Sequence, residues 1–83
     1  MKKVYINLFV PSLDRNFDIE IPINLEMKYV VDELQKSLQE QTEGCYIIKE
    51  TIKLYDKSTG GLINQNNIVK YSGLKNGASI MLI

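Results

Sequence analysis

The hydrophobic period changes once along this chain, and that change constrains most of what it can fold into. Val4, Ile6, Leu8 and Val10 alternate with Tyr5, Asn7 and Phe9, the period-two pattern of a strand with one buried side. Pro11-Ser12-Leu13-Asp14-Arg15-Asn16 is turn-rich, and then Phe17, Ile19, Ile21 and Ile23 alternate with Asp18, Glu20 and Pro22. Two alternating runs joined by a short polar loop predict a β-hairpin. Pro22 lacks the N–H a ladder needs, so the second strand lies at an edge or stops there. From Met27 the spacing becomes three and four. Met27, Val30, Val31, Leu34 and Leu38 share one helical face, and Lys28, Asp32, Glu33, Gln35, Lys36, Gln39 and Glu40 take the other. This predicts a helix over residues 26–42, with Asp32 and Lys36 as an i,i+4 pair worth a few tenths of a kcal/mol and Gly44 as the C′ residue.

Shorter pieces follow. Thr51 to Tyr55 alternates, with Ile52 and Leu54 on one side and Lys53 and Tyr55 on the other. Lys57-Ser58-Thr59-Gly60-Gly61 is a turn signal, and Leu62-Ile63 reads as a brief strand. The polar run Asn64-Gln65-Asn66-Asn67 leads to Ile68-Val69-Lys70-Tyr71, then an Asn76-Gly77 turn and a last strand, Ser79 to Ile83. The order is β-β-α-β-β-β. One amphipathic helix must cover one apolar sheet face, so the expected architecture is a two-layer α+β roll: a mixed sheet of four to five strands with the helix across it. With 83 residues and no linker or repeat, residues 1–83 read as a single domain.

Composition then removes function classes. Ten lysine plus arginine residues balance ten aspartate plus glutamate residues, so the basic excess of a nucleic-acid binder is missing; Lys2-Lys3 is the one adjacent basic pair. Cys45 stands alone, which rules out an intramolecular disulfide, and it reads as an ordinary, partly buried thiol in the loop after the helix. The chain has no histidine, so a Ser-His-Asp triad, a Cys-His dyad and the commonest metal ligands are missing. Asp14, Asp18 and Glu20 read as solvated surface, the last two on the polar strand face, and Gly60-Gly61 lacks the Lys-Ser/Thr of a phosphate loop. The sequence therefore implies no enzyme, no cofactor and no metal. No stretch approaches the roughly 20 apolar residues of a membrane span, and no early apolar run has signal-peptide length, so the expectation is a cytoplasmic protein without direct membrane insertion.

The element order and spacing resemble the ubiquitin-like β-grasp fold over essentially the whole chain. The resemblance is clearest from Asn67 to Ile83, which looks like that superfamily's short helix, then "G-[LI]-x-[ND]-G" (here Gly73-Leu74-Lys75-Asn76-Gly77), then last strand. It implies that Leu74, Ile80 and Leu82 enter the core. Within the superfamily the chain is similar in pattern and length to the YukD/EsaB family of Gram-positive bacteria, whose genes accompany type VII (Ess/Yuk) secretion systems exporting small WXG-motif helical hairpins. That resemblance implies a non-catalytic accessory or regulatory component that binds secretion-system proteins. Conjugated modifiers and sulfur carriers need a flexible tail ending in Gly-Gly. Here the sequence stops at Ile83, within the predicted last strand, and Gly60-Gly61 is internal; if residue 83 is the true end, conjugation is out of reach. Two alternatives stand beside this reading: a modifier or sulfur carrier whose tail is missing, and the N-terminal ubiquitin-like domain of a membrane secretion-channel subunit.

A surface is the remaining candidate site. If Val4, Ile6, Leu8, Ile52, Leu54, Ile80 and Leu82 face the helix, then Tyr5, Phe9, Lys53, Tyr55, Met81 and Ile83 lie on the outer face of the sheet. In β-grasp folds the first, third and fifth strands are neighbours, so these residues should converge. Aromatics, Met and a flanking Lys suit a partner-binding patch. The edge of the second strand, Phe17 to Ile21, is a further possibility, where an extended peptide could add a strand. A homodimer through either surface stays open.

Overall fold

The structure, a computed structural model, describes residues 3–83; Lys2 of the Lys2-Lys3 pair lies outside them. Among the described residues, strands β1 (Lys3–Val10), β2 (Arg15–Pro22), β3 (Leu54–Asp56) and β4 (Ala78–Leu82) form one mixed sheet, with helix α1 (Met27–Gln41) and a 3-10 turn, Val69–Tyr71. The sheet order is β2-β1-β4-β3. β1 runs antiparallel to β2 and parallel to β4, and β4 runs antiparallel to β3. Pro22 closes an edge strand, as its missing N–H requires.

The periodicity converts directly into packing. Val4, Ile6, Leu8 and Val10 from β1 are buried with Ile80 and Leu82 from β4, Leu54 from β3, and Met27, Val30, Val31 and Leu38 from the helix. Phe17, Ile19, Ile23, Leu34 and Leu74 are only partly buried around this core. Burying each large aliphatic side chain contributes roughly 1.5–3 kcal/mol against chain entropy.

Four local expectations are corrected. The strand expected at Thr51 begins at Leu54, although Lys53 still exchanges two backbone hydrogen bonds of 2.9 Å with Ile83. Leu62-Ile63 makes a single bridge, Tyr55 to Leu62, and no strand, so the sheet has four strands. Lys36 pairs with Glu33 at 3.8 Å, not with Asp32. The left-handed C′ residue is Glu43 (φ 52), followed by Gly44 (φ 87). Gly44 N–H donates to Gln39 C=O and Glu43 N–H to Glu40 C=O, the two bonds of a Schellman motif, which places Gly44 one position beyond C′.

Gln35 is the largest departure. Its place on the helix wheel reads as solvent, yet it is 2% exposed. The chain from Cys45 to Lys53 folds back along that side of α1. Tyr46 Oη donates to Gln35 Oε1 at 2.8 Å, Lys49 N–H donates to the same oxygen at 2.9 Å, and Gln35 Nε2 donates to Lys49 C=O at 3.1 Å. One amide thus pins the segment that leads into β3.

The helix start is held from outside. Glu26 at the N-cap makes no side-chain bond. Instead Asn67 and Gln65 C=O accept from Met27 and Lys28 N–H at 2.8 and 2.9 Å, so the polar run supplies backbone acceptors for otherwise orphaned donors. The Gly73–Gly77 segment likewise serves β1. Asn76 Oδ1 accepts from Tyr5 N–H, and Gly77 N–H donates to Tyr5 C=O, both at 2.8 Å. Gly77 takes φ 86 to do so, a conformation glycine adopts without a Cβ penalty.

Candidate functional site

The outer face of the sheet follows from the same alternation that builds the core. Phe9 pairs with Met81 across β1 and β4, and Met81 pairs with Tyr55 across β4 and β3. Their side chains form one cross-strand row, with strands roughly 4.8 Å apart. One pair further on, Lys53 and Ile83 lie side by side, with Ile83 46% exposed. Phe9, Tyr55 and Met81 are half-buried, leaving ring and thioether surface open to a partner.

The structure adds a residue that the sequence reading assigned only to a turn. Lys57 Nζ lies 4.7 Å from the centroid of the Phe9 ring, a cation–π distance. Its backbone N–H donates to Ser79 C=O at 3.0 Å, which sets its direction. The signal was its period: Lys57 is two residues past Tyr55 and so continues the outer face. Nearby, Asp56 Oδ1 accepts from Ser58 N–H at 2.9 Å and Ser58 Oγ at 2.7 Å. These bonds hold the Asp56 carboxyl below its ordinary value and keep it engaged in its own turn.

Tyr5 stands apart from the group it was expected to join. It lies four residues before Phe9, about 13 Å along the strand, and it is 50% exposed. Asn7 intervenes, donating through Nδ2 to Asp18 Oδ1 at 3.1 Å. The outer face therefore has two ends: an apolar row with Lys53 and Lys57, and a polar end carrying Tyr5, Asp18 and Glu20. Five of the six expected residues converge, and Lys57 joins them.

The expectation for Cys45 is corrected. Cys45 is exposed, not partly buried, because the Schellman turn carries it outward. Among the described residues no group of three or more Cys, Asp or Glu side chains is arranged to hold a metal ion, and no helix is long and apolar enough to cross a membrane.

Solved structures resemble this fold along the whole chain. The ubiquitin-like domain of the Mycobacterium tuberculosis type VII secretion system protein ECCD1 superposes with a TM-score of 0.76 at 13% identity, covering 100% of this chain and 99% of that one. A protein described as molecular mimicry of SUMO that promotes DNA repair gives 0.71 at 20% identity, covering 100% and 92%. Caldiarchaeum subterraneum ubiquitin gives 0.67 at 15% identity, covering 98% and 91%. No protein-family model matches the chain, and no curated protein matches it. At these identities the likeness establishes the fold alone: the chain has the ubiquitin-like β-grasp fold.

Proposed function

We propose that this chain is a non-catalytic protein-binding module that docks through the Phe9–Met81–Tyr55 row and its flanking Lys53, Lys57 and Ile83. The observation that carries the reading is the row itself. It places two aromatics and a Met on neighbouring strands of one sheet face, beside Ile83 and two cations, the composition of an interface centre with a charged rim. Such a surface suits a partner with an apolar centre and acidic margin.

The biological setting we propose is a Gram-positive type VII (Ess/Yuk) secretion system, with this chain as a cytoplasmic accessory or regulatory member of the YukD/EsaB family. The likeness to the ECCD1 domain supports this setting, as does the residue pattern described above. Tagged wild-type protein should capture secretion-system components from the source bacterium. Tyr55→Asp and Met81→Asp should lose that capture while each variant stays folded, losing about 1–2 kcal/mol of stability from half-buried cross-strand contacts and strand propensity. Undiminished capture by well-folded variants would overturn the surface assignment.

A second reading is favoured by the ECCD1 neighbour being itself a domain of a secretion-system protein: this chain as the ubiquitin-like portion of a channel subunit. The reading frame beyond Ile83 separates the two, and a continuation to Gly-Gly would favour a modifier or sulfur carrier.

A further inference from the structure

We propose that the groove between β2 and α1 takes an extended peptide strand in which aliphatic side chains alternate with Lys or Arg, added to the open edge of β2. This site is separate from the outer-face row and rests on different observations.

The edge comes first. β2 is the outermost strand on its side of the sheet. Tyr5 spends its N–H and C=O on Asn76 and Gly77, toward β4. Successive strand residues direct these groups to opposite sides, so Val4, Ile6, Leu8 and Val10 turn theirs toward β2. Their register partners Ile21, Ile19, Phe17 and Arg15 turn back toward β1. The N–H and C=O groups of Asn16, Asp18 and Glu20 therefore point outward, an unfilled row of donors and acceptors of the kind that β-augmentation uses.

The groove comes second. One hollow of about 290 Å³ is lined by Phe17, Ile19, Leu34 and Leu38. A second of about 200 Å³ continues it past Ile21, Leu25 and Val30, and the two share Glu20, Leu34 and Ser37. Each is smaller than most small-molecule sites but suits a line of aliphatic side chains. A strand on this edge would send every second side chain into the hollow and the others onto the outer face.

Charge selects the occupant. The outer-face neighbours at mid-strand are Asp18 and Glu20, both exposed, and Glu33 stands on the helix rim. Arg15 lies at the loop end of the strand, over Phe17 at 4.9 Å, and Lys3 lines the groove from β1. Like charges opposed across strands are destabilising and opposite charges favourable. An acidic strand is therefore disfavoured, and so is β2 of a second copy, which would set Asp18 and Glu20 against their own counterparts.

The test uses two fluorescein-labelled heptapeptides, one alternating lysine with valine and one with glutamate replacing lysine, titrated at low salt with amide shifts recorded. The lysine peptide should bind about tenfold tighter than the glutamate peptide and shift residues 16–20 and 34–38. Glu20→Pro removes an outward N–H together with the carboxylate, so it is compared with Glu20→Gln, which removes the charge alone; the proline variant should bind about five- to tenfold more weakly than the glutamine variant, with the amide shifts of β1 unchanged. Asp18→Lys/Glu20→Lys should invert the peptide preference. Equal binding of both peptides, indifference to Glu20→Pro, shifts confined to the Phe9–Met81–Tyr55 row, or sedimentation showing a β2-mediated dimer would each overturn the proposal.

Discussion

Replacing Tyr46 with Phe should destabilise the wild-type chain but stabilise one that already carries Gln35→Leu. In the native structure Gln35 Oε1 accepts from both Tyr46 Oη and Lys49 N–H. Tyr46→Phe alone leaves that oxygen with the Lys49 donor, so the loss is one neutral hydrogen bond, about 1 kcal/mol. Gln35→Leu removes three bonds and strands the Tyr46 hydroxyl in a site where the residue is 2% exposed. An orphaned buried hydroxyl costs about 1–3 kcal/mol, and the Lys49 N–H and C=O, which water can reach, add about 1 kcal/mol more. The single variant should therefore lose about 3 kcal/mol, equivalent to a Tm drop on the order of 12–24 °C for a domain of this size. Adding Tyr46→Phe removes the stranded hydroxyl and should restore about 1 kcal/mol, a coupling near 2 kcal/mol in the cycle. Urea unfolding followed by far-UV circular dichroism measures all four corners. A Tyr46→Phe cost that is the same in both backgrounds would refute the reasoning, because it would mean that water reaches the hydroxyl once Gln35 is gone.

The remaining predictions concern the helix end and titration. Glu43→Gly should raise stability by about 0.5–1 kcal/mol, since it relieves a left-handed non-glycine residue and removes a carboxylate from a helix C-terminus; an unchanged or lowered urea midpoint would contradict this. Burial pushes the Tyr46 phenol above its ordinary 10.0. The folded chain keeps that proton longer than the unfolded chain, so this stabilising contribution is complete below pH 10 and is lost as pH rises through the folded value. Tyr46→Phe should flatten the alkaline limb of the stability profile. Asp56 is shifted the opposite way by its Ser58 bonds. Its contribution is present above the ordinary carboxylate range and is lost as pH falls through the depressed folded value, so Asp56→Asn should flatten the acid limb.

Much of this architecture is legible in the sequence because it depends on period. Val4, Ile6, Leu8 and Val10 could be placed by alternation alone, and Met27, Val30, Val31 and Leu38 by spacing of three and four. Pro22 marked its edge through chemistry no context could reverse. What failed depended on where a non-repeating segment went. Gln35 reads as polar surface until residues 45–53 cross it. Glu43 occupies C′ because the helix ends one residue earlier than Gly44 suggested. Cys45 is exposed for the same reason. At the candidate site, alternation assigned the correct face, but distance along the strand separated Tyr5 from Phe9. Lys57 was missed because turn signals around Gly60-Gly61 masked its continuation of the strand.

The central proposal is that the outer-face row serves protein docking in type VII export. The most direct measurement compares export of small WXG-motif substrates by the source organism, by a clean deletion of this gene, and by deletions carrying wild-type or Tyr55→Asp/Met81→Asp copies, using immunoblots of medium and cells. The account predicts that deletion abolishes export, that wild type restores it, and that the doubly substituted copy accumulates normally without restoring it. Export unchanged by the deletion, or fully restored by the substituted copy, would contradict it.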